Sequence, residues 1–429
     1  MDADGSSEAE ITIELRDASG NPVNGVTPEF TASGDGNEYG ACSPTDDGIS
    51  TCTMTSSERG EKELQITEPI TLVGETIEFG WPCDRDATEE FGGGTGTSNN
   101  PFRVCNLDQL DLIRQSLSSD YVLRADLDMG ASWEPIGVIN DPFTGSFDGD
   151  GFVIRNLTID EPDAFEPVGF FRLLGSGAEV KNLVLEDITV NGGDHVGGLA
   201  GVSEGRVAGV SITGDVTGFY QVGGLIGLSS GTIADSSASG VVTGVSSEVG
   251  GLVGNNGEDG EVTDSHVVDT IVESERYAGG LVGMNYGAIT DSHATGKVTG
   301  HNNVGGLVGT NSEEVADCQA MVDVSQSEEA QYERANIGGL VGFNEAMVLR
   351  SSADGPVSAV FSNVGGLVGQ NDEQGIIDGS HSTGDVTSSG GANAGGLVGL
   401  NERSIVNSSA TGGLTKGDKD VGGLVGLNG

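Results

Sequence analysis

Three kinds of side chain in this chain could do chemistry, and each comes in a pattern. His266 and His293 occupy the same place in consecutive copies of a repeated segment, and His381 recurs there later. Imidazoles about 5 Å apart on neighbouring strands could share a metal; the plainer alternative is a row of exposed residues. Asp126 and Asp128, then Asp148 and Asp150, form two Asp-x-Asp pairs whose oxygens could hold Ca2+. Asp-Gly-Asp-Gly is also a turn sequence. Cys318 could be a nucleophile only with a basic neighbour to lower its pKa, and the adjacent Asp317 does the opposite. Gly92-Gly-Gly-Thr-Gly-Thr97 lacks the Lys of a phosphate loop and opens no helical pattern, so it reads as a linker turn. Apart from Ca2+ no cofactor is implied.

The elements that would position these residues follow from a repeat. A small apolar residue followed by G-G-L-[V/A/I]-G begins at Val196, Val222, Val249, Ala278, Val304, Ile337, Val364, Ala394 and Val421. A period of roughly thirty residues marks a stacked architecture, in which one unit cannot bury its own apolar face. Between the glycine blocks run short β-branched segments broken by Gly and Asn, as in Ile289-Thr-Asp-Ser-His-Ala-Thr-Gly-Lys-Val-Thr-Gly300. These predict two or three strands per period and a parallel β-solenoid.

Aligned copies form columns. Ser203 and Ser229 are followed by Asn256, Asn285, Asn311, Asn344, Asn371, Asn401 and Asn428, each two residues past a glycine block. Asn suits a left-handed corner, and stacked amides can bond from rung to rung. A second column runs Ser236, Ser265, Ser292, Cys318, Ser351, Ser380 and Ser408, which puts Cys318 in a small structural slot. The paired glycines fit places where adjacent coils approach too closely for a Cβ.

The V-G-G-L-V-G-x-N block resembles the GLUG repeat of bacterial and archaeal surface proteins, among them adhesins and some immunoglobulin A peptidases. Upstream, Phe91-Gly-Gly-Gly-Thr-Gly-Thr, Leu107-Asp-Gln-Leu-Asp-Leu-Ile, Trp133-Glu-Pro-Ile-Gly and Phe143-Thr-Gly-Ser-Phe-Asp-Gly resemble the lead-in of such domains, so the likeness covers roughly residues 88–429. It implies a cell-surface location and a β-solenoid, with no activity of its own. The peptidases rely on an H-E-x-x-H zinc helix, and none of the five histidines here sits in that pattern.

Four segments are expected. Residues 1–7 form a disordered N-terminus and 8–80 an immunoglobulin-like β-sandwich, whose start resembles the immunoglobulin-like repeats of invasin-type adhesins. Residues 81–165 form a linker with the lead-in and capping segment, and 166–429 the GLUG-repeat solenoid of about ten coils. Leu107, Leu110, Ile113 and Leu117 at helical spacing, behind an Asn106 or Asp108 cap, predict a short helix covering the first coil. A hairpin turning at Asp46 to Gly48 would set Cys42 opposite Cys52 for a disulfide, and Cys83 and Cys105 could form a second. An oxidising, exported setting follows from that pairing. Asn156-Leu-Thr and Asn407-Ser-Ser are glycosylation sequons.

Sixty-six acidic residues stand against eighteen basic ones, a net charge of −48. Such a field repels nucleic acid and anionic membranes. Its lysine-poor, aspartate-rich surface is similar to those of salt-loving microbes; the alternative is an acidic secreted protein that binds calcium. Two function classes remain. One is a non-catalytic extracellular module, an adhesin-like rod or structural spacer whose partner is a surface ligand such as a glycan or another cell. The other is a polysaccharide-cleaving β-helix using an Asp pair. A smaller third is an ice- or crystal-binding face built from hydroxyls such as Thr295 and Thr299 lying in regular rank. No run of eighteen apolar residues suggests membrane insertion. The chain stops after a ninth motif with no cap, so truncation, or self-association through that coil edge, is expected.

Overall fold

The computed structural model describes residues 8–58, 60–79, 91–163, 165–327, 335–360, 362–389, 393–415 and 420–429. The N-terminal segment 1–7 and Cys83 lie outside them. The chain divides into two compact units, Met1–Gly94 with Arg103–Cys105, and Thr95–Phe102 with Asn106–Gly429.

In the first unit, alternating apolar and polar residues dictate strands with one buried face. Strand β1 (Ala9–Glu14) buries Ala9, Ile11 and Ile13 and exposes the residues between. Its antiparallel sheet contains β3 (Asn37–Tyr39) and β4 (Ile49–Ser56), with β4 in the middle. A second antiparallel sheet places β5 (Gly60–Glu68) between β2 (Glu29–Ala32) and β6 (Leu72–Phe79). Their shared core holds Ile11, Ile13, Leu15, Phe30 and Met54, the small sandwich expected of an immunoglobulin-like domain. Asp46 and Ile49 exchange both backbone hydrogen bonds across Asp47 and Gly48, which both adopt positive φ. Asp-Gly suits that tight turn. It brings Cys42 to Cys52, which are joined by a disulfide. Cys105 is also disulfide-bonded.

The second unit is a parallel β-solenoid of about eleven coils. Its coils build three sheets. One has twelve strands, one has ten, and the third contains the longest strands, of 13 or 14 residues. Around the glycine blocks the copies pair with their neighbours in one register, while the long strands carry register shifts, as between Gly218 and Tyr220 or Val267 and Thr270. Val282, for example, lies between Val253 and Val308, and Asn285 between Asn256 and Asn311. The long strand was not foreseen. It merges two expected short ones because the chain rounds its corners without leaving the pairing ladder. Left-handed residues do this at one bend, and glycines such as Gly214, Gly240 and Gly296 at another.

Inward-facing apolar residues stack as columns: Leu225, Leu252, Leu281, Leu307, Leu340, Leu367 and Leu397 are all fully buried. Coil pairing begins well before residue 166, because Ser146–Asp148 and Thr158–Glu161 already pair with strands of the next coil. There the glycine signature is absent and aromatic rings fill the interior. Trp133 stacks on Phe170 with centroids 5.5 Å apart, and Phe143 lies 4.8 Å from Phe171. The short helix is present as α1 (Leu107–Leu112), continued by a 3-10 turn at Ile113–Gln115. Asn106 caps it by accepting from the Gln109 N–H, and Leu110 and Ile113 are fully buried. Arg114 fastens its end by donating to the carbonyl oxygens of Glu134 and Pro135. Among the described residues no helix is long and apolar enough to cross a membrane.

Candidate functional site

The solenoid turns each sequence column into a line of side chains, so candidate sites are lines and breaks in lines. The asparagine column is a continuous amide ladder. From Asn256 to Asn428 each Nδ2 donates to the Oδ1 of the next coil at 2.7 to 2.9 Å, and Asn256 through Asn371 are fully buried. The expected left-handed conformation is not found at these residues. Positive φ falls instead on Asp235, Asp264, Asp291, Asp317, Arg350 and Asn407 in one column, and on His195, Gln221, Glu248, Tyr277 and Asn303 in another. Ladder residues must stay in the strand so that their amides stack at the inter-strand spacing, and other residues make the corners.

The ladder stops at Asn256 because the preceding coil carries serine. Asn256 Oδ1 and Ser229 Oγ are both buried without a hydrogen-bond partner. In this slot the Ser229 hydroxyl makes no bond to Asn256 on the next coil. Ser229→Asn is therefore expected to extend the ladder and raise unfolding stability by about 1 kcal/mol, as read in a denaturant titration; a loss of stability would show that the slot cannot take the amide.

In the serine column each hydroxyl donates to the carbonyl two residues back and accepts the N–H of the preceding coil, as Ser265 Oγ does with Thr263 O and Ser236 N. Cys318 takes the same place, donating to Ala316 O at 3.1 Å. Burial, with Asp291 and Asp317 nearby, pushes its thiol up to about 12. The native protein is thus expected to leave Cys318 unreacted toward an aromatic disulfide reagent for hours at pH 8, and to release one equivalent only on unfolding. Rapid native labelling would contradict this.

The His266 and His293 rings are stacked, with centroids 5.0 Å apart and planes 3° from parallel. Corresponding nitrogens ride about 5 Å apart, whereas one metal bound by both would need them within about 4.2 Å. His381 lies further along the column, beyond Gln319 and Ser352. The four aspartates of the lead-in are engaged separately. Asp126 accepts from Val153 N–H and pairs with Arg155, and Asp128 accepts from the Asn156 amide. Asp148 accepts from the Asp150 N–H and the Asn182 amide, and Asp150 pairs with Arg124. Among the described residues no group of three or more His, Cys, Asp or Glu is placed to hold a metal. Both sequon asparagines have left-handed backbones and donate their amides to aspartates, Asn156 to Asp128 and Asn407 to Asp378.

Asp235, Asp264, Asp291 and Asp317 follow one another along one ridge, with Asp317 held below the usual carboxylate range by Arg350. Sugar hydrolysis needs carboxyl groups on either side of a bound ring, not in file. The hydroxyl rank containing Thr299 runs through Thr217, Thr243, Ser325, Ser358 and Thr387, interrupted by Glu273. Thr295 belongs to another row, opposite Met321.

One line escaped sequence reasoning. The residue before each glycine block is polar in every copy: His195, Gln221, Glu248, Tyr277, Asn303, Asn336, Asn363, Asn393 and Asp420. Its later members form a second amide ladder in which Asn336, Asn363 and Asn393 each donate to the preceding coil at 2.8 to 2.9 Å. It runs opposite to the first. Its earlier members break the pattern. Glu248, only 5% exposed, accepts from Tyr220 OH, and from Gln221 Nε2 and Asn255 Nδ2 at 2.7 Å each. The signal was visible as an invariably polar position beside an apolar block.

Two family models agree with this architecture. Residues 1–76 match the family described as invasin, domain 3, and residues 246–272, 274–299 and 362–387 match the GLUG motif. Halomucin of Haloquadratum walsbyi is 36% identical over 78% of this chain, which aligns with 5% of halomucin's length. A "Putative Gly-rich membrane protein" of Evansella cellulosilytica is 34% identical over 28% of the chain and 15% of its own length. The chain therefore spans only a small part of either relative. Among solved structures, a "putative immunoglobulin A1 protease" from Bacteroides ovatus overlaps 79% of this chain and 88% of its own, at 19% identity and a TM-score of 0.38.

Proposed function

We propose that this chain, which joins an invasin domain 3 to GLUG repeats, works as a non-catalytic module on the outside of a salt-adapted cell, an adhesin-like or spacing element. The observation that carries the reading is the register of the coils. Like side chains lie on like along the buried columns, as in the amide ladder from Asn256 to Asn428. A polymer-cleaving site would need an irregular cleft, whereas a uniform solenoid offers length and repeated surface. Ten parallel strands in one sheet extend the unit by roughly 50 Å. The disulfide between Cys42 and Cys52 fits an oxidising compartment. A net charge of −48 with only five lysines fits a medium in which salt screens self-repulsion.

Protease shaving of intact cells, followed by detection with an antibody to the repeats, tests the location; signal retained inside shaved cells overturns it. A polysaccharide panel tests the absence of catalysis. Turnover abolished by a single Asp→Asn change would replace this reading with the β-helix hydrolase.

A further inference from the structure

The column that includes His195, Gln221, Glu248 and Tyr277 abandons the self-satisfied amide ladder its later coils use. Four successive coils place His, Gln, Glu and Tyr in left-handed backbone conformations, with φ of 53°, 51°, 62° and 54°. Side chains with a Cβ resist that region, at about 1 kcal/mol or more each. The later members Asn336, Asn363 and Asn393 satisfy one another across coils. Here Gln221 turns instead to the buried carboxylate of Glu248 on the next coil, joined by residues of two other columns. Tyr220 OH, Gln221 Nε2 and Asn255 Nδ2 all point at Glu248.

The hydrogen bonding of this cluster is incomplete on one side. Gln221, 7% exposed, leaves its Oε1 without a partner, and His195 leaves its Nδ1 without one. Turning the Gln221 amide over would point an oxygen at the carboxylate, so the unpaired atom is an acceptor. Buried acceptors left unpaired are costly, and they call for a donor-rich guest. The rim supplies the other half of a recognition surface. Tyr220, Tyr277 and Tyr286 are three of the chain's six tyrosines, and Tyr286 is 37% exposed. Tyr220 and Tyr286 both have their hydroxyls shifted upward, by burial first and then by Glu248, through a hydrogen bond at Tyr220 and through its charge at Tyr286.

We infer that this face, centred on Glu248 and rimmed by Tyr220, Tyr277 and Tyr286, is a subsite for a neutral, hydroxyl-rich glycan. A pyranose ring lies on a tyrosine face, and its hydroxyls donate inward to the buried Gln221 Oε1 through a water admitted beneath the rim. The overall charge of −48 selects against uronates and sulfated sugars. The inference rests on the surface-module reading and supplies its ligand class.

The test is calorimetric titration of the full chain at molar NaCl with neutral hexose oligosaccharides, with an oligogalacturonate as the anionic counterpart. Saturable binding of a neutral sugar is expected, at least tenfold tighter than the oligogalacturonate. It should weaken tenfold or more in Tyr286→Ala and Tyr277→Ala, while Met321→Ala, exposed in a different column, leaves it unchanged. Circular dichroism of each variant checks that the solenoid stays folded. No neutral sugar binding, or binding that survives both tyrosine changes, overturns the site. So does saturable uptake of Na+, K+ or Ca2+ that Glu248→Gln abolishes while no sugar binds. Sugar binding elsewhere on the chain would sink the subsite and leave the surface-module reading standing, whereas intracellular retention in the shaving experiment would sink the reading itself.

Discussion

Replacing Gly306 by alanine is expected to cost at least about 4 kcal/mol and to unravel the central coils. A Cβ at that position would lie 2.1 Å from the carbonyl oxygen of Gly339 on the next coil and 3.1 Å from Ala320 Cβ. The first obstacle is backbone, fixed by its own pairing, so no side-chain rotation relieves it. The same clash recurs up the column, at 2.1 Å for Gly280 and Gly339 and 2.2 Å for Gly366. Overpacking of a flexible core site costs about 1–3 kcal/mol, and this site has nowhere to relax. Gly423 occupies the same place in its repeat yet meets nothing within 4 Å. Gly423→Ala should therefore stay within about 0.5 kcal/mol of the parent. Denaturant titrations of both variants decide the point. Equal effects at Gly306 and Gly423 would mean that the glycines serve backbone flexibility and not coil contact.

The second large effect is expected at Asn311, in the middle of the amide ladder. Asn311 is fully buried, accepts from Asn285 Nδ2 at 2.9 Å and donates to Asn344 Oδ1 at 2.9 Å. Asn311→Ala leaves a donor and an acceptor stranded on either side, each costing about 1–3 kcal/mol. A loss of about 3–5 kcal/mol is anticipated, including the small void left by the amide. Asn428 is exposed, accepting from Asn401 at 2.7 Å. Asn428→Ala leaves a donor that water can satisfy, so a change below about 1 kcal/mol is expected. The contrast between interior and end separates a ladder effect from a general intolerance of alanine. Comparable losses at the two positions would refute the ladder as the source of stability.

The repeat alone determined the solenoid, its approximate coil number and the stacking of like residues. Any period near thirty residues with alternating β-branched segments must lean on its neighbours. The sequence alone also pointed to the short helix, because the spacing of Leu107, Leu110 and Ile113 behind Asn106 is a local signal. Only the tertiary structure decided which columns turn corners. The Asn ladder was expected at left-handed bends, but those bends belong to the aspartate column and to the column of His195, Gln221 and Glu248. Backbone handedness at one position depends on where the neighbouring coils place their strands, and no single repeat records that. The early start of the solenoid was hidden for a similar reason. Phe143, Phe147 and Phe170 fill the interior that the Gly-Gly-Leu block serves later, so the same fold is written there in different residues. The Glu248 cluster became visible only when Tyr220, Gln221 and Asn255, which belong to two different repeats, met around one carboxylate. Periodicity dictates which residues repeat, but contacts across coils decide which of them meet.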